Sequence, residues 1–218
     1  MYPIKQKILH SVGFLAFALI AFAIPTEADA QRGLTLEDDT LTKKVLIHPV
    51  IEIGENQYIT TREHTYRSQL QLGDQLARDF LVAATNKQGI LHIYKNDGKH
   101  NEDYFGWEKN VMAPFDAEVK RVNEADSTNK PGKMNGDVRP GLIYFEKDNG
   151  LTVVYAHVRD ITVEKGERVK AGDIVAKVGN NGNSIAPHVH VGAWQGDIPL
   201  QIQVDLYAEQ RPGNRSSK

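Results

Sequence analysis

Residues 178–194, VGNNGNSIAPHVHVGAW, decide the fold. The first half of this stretch, residues 179–187, is rich in Gly and Asn, which tolerate positive φ, and ends on Pro187, so it predicts a turn. The second half, residues 188–194, alternates and is β-prone, so it predicts a strand. On a strand, residues i and i+2 share a face. His188 and His190 therefore point into one pocket, while Val189 and Val191 point into a core. That spacing allows one imidazole to hold a metal ion while its neighbour touches water or substrate. A His-x-His pair alone is more often two surface histidines than a metal site, so the surroundings must decide.

Working outward, residues 142–145 and 151–156 are apolar runs flanking Lys147-Asp148-Asn149-Gly150, a hairpin signal, and His157 ends the second run. Residues 161–178 read as two short strands joined by glycine turns, with valines filling a small barrel-like core. Residues 111–122 read as a β-hairpin turning at Phe115-Asp116-Ala117. Residues 123–140 form a long polar loop, the expected wall of a groove. Further upstream, residues 44–47, 50–53 and 57–61 are short strands. His48, beside Pro49, and His92, within a strand-like run, read as structural. The fold class is mainly β, an antiparallel sheet or small barrel-like domain.

The chain has 218 residues and a formal net charge of -2, which fits one domain and argues against nucleic acid as main partner. Residues 1–30 read as a secretory signal peptide: Lys5 and Lys7, an apolar run over 12–24, then Ala28-Asp29-Ala30 before Gln31. The mature chain is then expected to be exported, periplasmic or secreted, without a stable membrane anchor after cleavage. There is no cysteine, so disulfides and a Cys-linked lipid are ruled out. The expected organisation is a β extension over 31–63, a main domain over 64–208 and a polar tail over 209–218.

Four ordered pieces carry a family resemblance. They are Tyr155-Ala156-His157; Val163-x-x-Gly166-x-x-Val169-x-x-Gly172-Asp173; Gly179-x-x-Gly182-Asn183-Ser184; and Pro187-His188-Val189-His190. Together with Val111-Met112-Ala113-Pro114 they resemble the lysostaphin-type, LytM-like zinc endopeptidases. The resemblance implies a LytM-type β domain with a substrate groove, Zn2+ as cofactor and peptidoglycan peptides as substrate. It also implies His190 as a metal ligand and His157 and His188 as catalytic residues.

The remaining two ligands have two candidate pairs. His64 precedes Gly73-x-x-x-Ala77-x-Asp79-Phe80, which resembles a subset of the family in which that His and Asp bind metal. Most members instead place His four residues before Asp, where this chain has Gln75. The phrase Lys99-His100-Asn101-Glu102-Asp103-Tyr104 offers His100 and Asp103, three residues apart. In the same subset its Asn-Glu-Asp-Tyr part recurs as an insertion beside the site. The expected set is His64, Asp79 and His190, with His100 and Asp103 as the alternative pair. Two other classes compete: an inactive relative that binds cell wall or activates a partner hydrolase, and a biotinyl or lipoyl carrier. A carrier would need a modified lysine on an exposed hairpin, and Lys133-Met134 lies upstream of the glycine-valine pattern.

Overall fold

A computed structural model describes residues 43–65 and 70–208. The expected signal peptide, residues 31–42 of the extension and the tail lie outside the described residues.

The strand that organises the fold is β12 (Val189–Gln195), with Val189, Val191 and Ala193 wholly buried on its core face. It lies between β8 (Leu151–Ala156) and β3 (Arg78–Thr85), antiparallel to both. The sheet continues beyond β3 to β2 (Gln57–Glu63), and beyond β8 through β7 (Leu142–Glu146) and β6 (Ala117–Asn123) to β10 (Arg168–Val169). Two short strands, β4 (Leu91–His92) and β13 (Ile198–Pro199), add to β3 and β12. A second sheet has the order β5 (Asn110–Met112), β11 (Ile174–Val178), β9 (Val158–Arg159). A third pairs β1 (Lys44–Ile47) in parallel with β14 (Gln201–Val204). Val45, Ile47, Val50 and Ile51 join the same apolar core as Phe80, Phe145, Tyr155 and Val191. Among the described residues no helix is long and apolar enough to cross a membrane.

The mainly antiparallel β class is what the alternating sequence predicts, but two local expectations differ. Residues 111–122 are not a hairpin: β5 pairs with β11, whereas β6 pairs with β7 and β10. Pro114 has no N–H to donate, and the N–H of Ala113 is taken by Asp173 O at 2.8 Å, so the chain turns a buried corner between sheets. The two short strands expected within 161–178 are present as β10 and β11, on either side of a turn at Gly172, and they join different sheets. Nor does a barrel close. β11 already has a partner on each side, β5 and β9, and the large sheet ends in the separate edges β2 and β10.

One core residue carries a stability prediction. Tyr155 is fully buried with its ring edge-on to Phe145, centroids 5.1 Å apart. Its hydroxyl finds no partner among the described residues. Leaving such a group unpaired costs about 1–3 kcal/mol, so Tyr155→Phe is expected to stabilise the fold by about 1 kcal/mol. The check is a higher urea midpoint at unchanged m.

Candidate metal centre

The sheet register builds the site. His190 on β12 stands directly opposite Asp79 on β3, and on the other side opposite Ala156 of β8, which His157 follows. β2 pairs with β3 up to Glu63↔Arg78, so the next residue, His64, arrives beside Ala77 and its N–H donates to Ala77 O at 2.8 Å. Three residues far apart in the chain thus meet. His190 Nδ1 is 2.9 Å from Asp79 Oδ1, and His64 Nε2 is 3.2 Å from Asp79 Oδ2. One donor atom from each of His64, Asp79 and His190 lies within 4.8 Å of the other two.

The hydrogen bonds around the site determine which nitrogens are free. His190 Nε2 lies 3.0 Å from Gly73 O, a pure acceptor, so Nε2 carries the proton. Its Nδ1 lone pair then faces a carboxylate oxygen. Two lone pairs at 2.9 Å repel unless a cation lies between them, and both a proton and a metal ion meet that need. The donor types also suit zinc, which takes imidazole nitrogens and carboxylate oxygens at about 2.0–2.2 Å, the carbonyl behind the ring fixing its orientation. The three side chains therefore fit a zinc ion by chemistry and by spacing.

His157 and His188 stand beside this set, ring centroids 4.8 Å apart. His157 donates from Nδ1 to Asn181 O at 2.8 Å, and Asn181 Nδ2 returns a bond to His157 O at 3.2 Å. These bonds hold His157 at φ 65, a left-handed conformation uncommon for a residue with a side chain. His188 donates from Nδ1 to Ala186 O at 2.8 Å, and its Nε2 lies 3.6 Å from Asp79 Oδ1. In both rings Nε2 is the nitrogen left free.

Charge follows from this packing. Burial works to raise the pKa of Asp79, but the imidazoles of His188, His190 and His64 outweigh it and hold the carboxyl far below the usual range. Burial lowers the pKa of His190, yet Asp79 and Gly73 O outweigh that and raise it. For His157, burial and then repulsion from His188 and His190 push it down to about 3. His157 is therefore neutral at ordinary pH.

All of these histidines line one open cavity of about 770 Å3. Met134, Gly136, Val138 and Pro140 form part of its wall, so the long loop takes the position expected of it. His100 and Asp103 do not line this cavity. They sit at a 3-10 turn, Asn101–Asp103, where Asp103 accepts from Asn96 Nδ2 at 2.7 Å and from the His100 backbone N–H at 3.2 Å. His92 pairs with Ala84 on the sheet and contacts Asn86. Sequence reasoning missed Gly73, Asn181, Ser184 and Ala186 as partners of the histidines. Three of these contacts run through backbone carbonyls, which carry no residue-type signal.

Residues 103–202 match the sequence profile of Peptidase family M23. Among solved structures, the chain is similar to a mutant catalytic domain of the prophage-encoded M23 protein EnpA from Enterococcus faecalis. The identity is 20%, over 67% of this chain and 87% of that one, with a TM-score of 0.42. The catalytic domain of the antimicrobial peptidase lysostaphin from Staphylococcus simulans is 18% identical over 66% and 87% of the two chains, TM-score 0.39. The SpoIIQ–SpoIIIAH pore-forming complex contributes a chain 15% identical over 70% and 85%, TM-score 0.41.

Proposed function

We propose, for a chain whose residues 103–202 match the sequence profile of peptidase family M23, a zinc-dependent endopeptidase that cuts peptide bonds in bacterial peptidoglycan. The observation that carries this reading is the meeting of His64, Asp79 and His190 within one cavity that also holds His157 and His188. His64 Nε2, an Asp79 oxygen and His190 Nδ1 would hold the ion. Bound there, Zn2+ would supply a Lewis acid for a peptide carbonyl and would lower the pKa of a water molecule to about 7.

The remaining work belongs to the chain's own side chains. His157 stays neutral and offers Nε2 as an acceptor, which suits it to orienting a water molecule. His188 Nε2 lies 3.6 Å from Asp79 Oδ1, which places this ring beside the carboxylate, where it can contact the substrate or the water. Gly73 O keeps His190 turned with Nδ1 toward Asp79. The open groove, with Tyr144, Val154 and Leu142 inside it, would seat an extended peptide. The proposed place of action is outside the cytoplasm, in the periplasm or beyond.

The test is incubation of the purified protein with isolated peptidoglycan. New amino termini should appear, disappear with a chelator and return with Zn2+. His157→Gln is expected to keep one zinc per chain while turnover falls by at least about 100-fold. A protein that binds no zinc, or releases no new amino termini when loaded, is not this enzyme.

A further inference from the structure

The phrase His100-Asn101-Glu102-Asp103, whose His100 and Asp103 the sequence offers as an alternative pair of ligands, has a different use. We propose that Asn101 is a positioning residue for His188, acting through Asn180 and Ser184. This role rests on the reading of His188 as part of the reaction.

The chain of bonds begins at a fixed acceptor. Asn129 O accepts from Asn101 Nδ2 at 2.8 Å, and a carbonyl can only accept, so the Asn101 amide has one orientation. Its Oδ1 then faces Asn180, which must answer with Nδ2, at 2.9 Å. That turns Asn180 Oδ1 toward Ser184, whose hydroxyl donates to it at 2.8 Å. A hydroxyl has one proton. With that proton spent on Asn180, Ser184 Oγ presents lone pairs to His188 Nδ1 at 3.2 Å. Ala186 O, 2.8 Å away, is a second acceptor on the same nitrogen. His188 is thereby fixed with its proton on Nδ1 and its lone pair on Nε2, the nitrogen on the Asp79 side.

Without Asn101, Asn180 Nδ2 keeps only its longer bond to Asn129 O, at 3.4 Å, and the amide is held less firmly. Ser184 Oγ is then held less firmly against Nδ1, and the His188 ring rests on Ala186 O as its one firm anchor. Ser184 Oγ also lies 2.8 Å from Ala186 O, so its proton has a second outlet that the Asn180 bond must outcompete. Burial makes these bonds consequential: Asn180 is 0% and Ser184 1% exposed, so water does not repair a lost bond. Asn129 closes the network from the long loop, its Nδ2 donating to Gly182 O and Ser184 O, both at 2.8 Å. The insertion thus pins both the loop that walls the cavity and the turn that carries His188.

The experiment uses the zinc-loaded full chain, 15N-labelled at histidine, with Asn101→Ala and Ser184→Ala. In the parent protein His188 should show the Nδ1–H tautomer. In both variants His188 should keep the Nδ1–H tautomer through Ala186 O, while its 15N signals shift and broaden as the ring loses its second anchor. Zinc content should stay at one per chain, KM should stay within about twofold, and kcat should fall about tenfold or more. Ser184→Ala deletes one atom, so it keeps the test decisive if Asn101→Ala does not fold. Unchanged His188 signals in a folded variant overturn the proposal, as does a kcat that falls only in step with lost zinc. If no protein cleaves peptidoglycan but the signals move, the positioning role stands and the peptidase reading falls.

Discussion

Asp79→Asn and His190→Ala are each expected to leave the purified protein without stoichiometric zinc and without peptidoglycan cleavage. Asp79 is the hub. One carboxylate meets His190 Nδ1 at 2.9 Å and His64 Nε2 at 3.2 Å, with His188 Nε2 at 3.6 Å. Asparagine keeps the shape but removes the negative charge that offsets the ion. It also presents an NH2 group to one of the nitrogens that must stay bare. The expected loss of zinc affinity is at least about 100-fold, and His64→Ala should behave alike. His100→Ala and Asp103→Asn should keep one zinc per chain, because both side chains lie outside the cavity that holds His190. A readout independent of catalysis comes from linkage: zinc should raise the melting temperature of the parent and of the second pair but not of the first. Retention of zinc by Asp79→Asn together with its loss from Asp103→Asn would move the site to the later phrase.

Gly192→Ala is expected to do comparable damage without touching a ligand. Gly192 lies on β12, two residues after His190 and on the same face. A Cβ there would come within 2.0 Å of Gly73 O and 2.6 Å of Gly73 C, which are backbone atoms that a rotamer change cannot clear. The segment carrying Gly73 must move away, and Gly73 O is the acceptor that orients His190. We expect a loss of about 3 kcal/mol or more in folding stability and, in whatever remains folded, weaker zinc binding. Gly106→Ala is the control, since its nearest contact, Val82 Cγ2 at 3.6 Å, is ordinary van der Waals distance. Urea denaturation of both variants and zinc titration of the folded fraction provide the check. Equal stability of the two variants would show that the close approach does not constrain the fold.

Much of the site is legible in the sequence because a strand has period two. Residues 188–194 predict β12 and the shared face of His188 and His190 from alternation alone, and the structure places both in one cavity. The hairpin at 147–150 is legible for the same reason, with turn residues between two apolar runs. The corner at Ala113-Pro114 is not, since local pattern predicts that β5 and β6 are strands but not which strand each will pair with. The choice of His64 and Asp79 lies between these cases. Fifteen residues separate them, and only the pairing of β2 with β3 brings them together. The orienting partners of the histidines are hidden more deeply. Gly73 O, Asn181 O and Ala186 O act through the main chain, and any residue at those positions has the same carbonyl.

The Asp79–His190 contact spans 111 residues of chain. It exists only once β3 has been zipped to β12, a strand near the end of the described chain. Long-range pairing of this kind closes slowly. A half-made or unfolded polypeptide therefore holds scattered imidazoles rather than a cage. On the proposed function, metal capture would come after folding, and a molecule that has not yet completed its sheet would have no hydrolytic centre to misdirect.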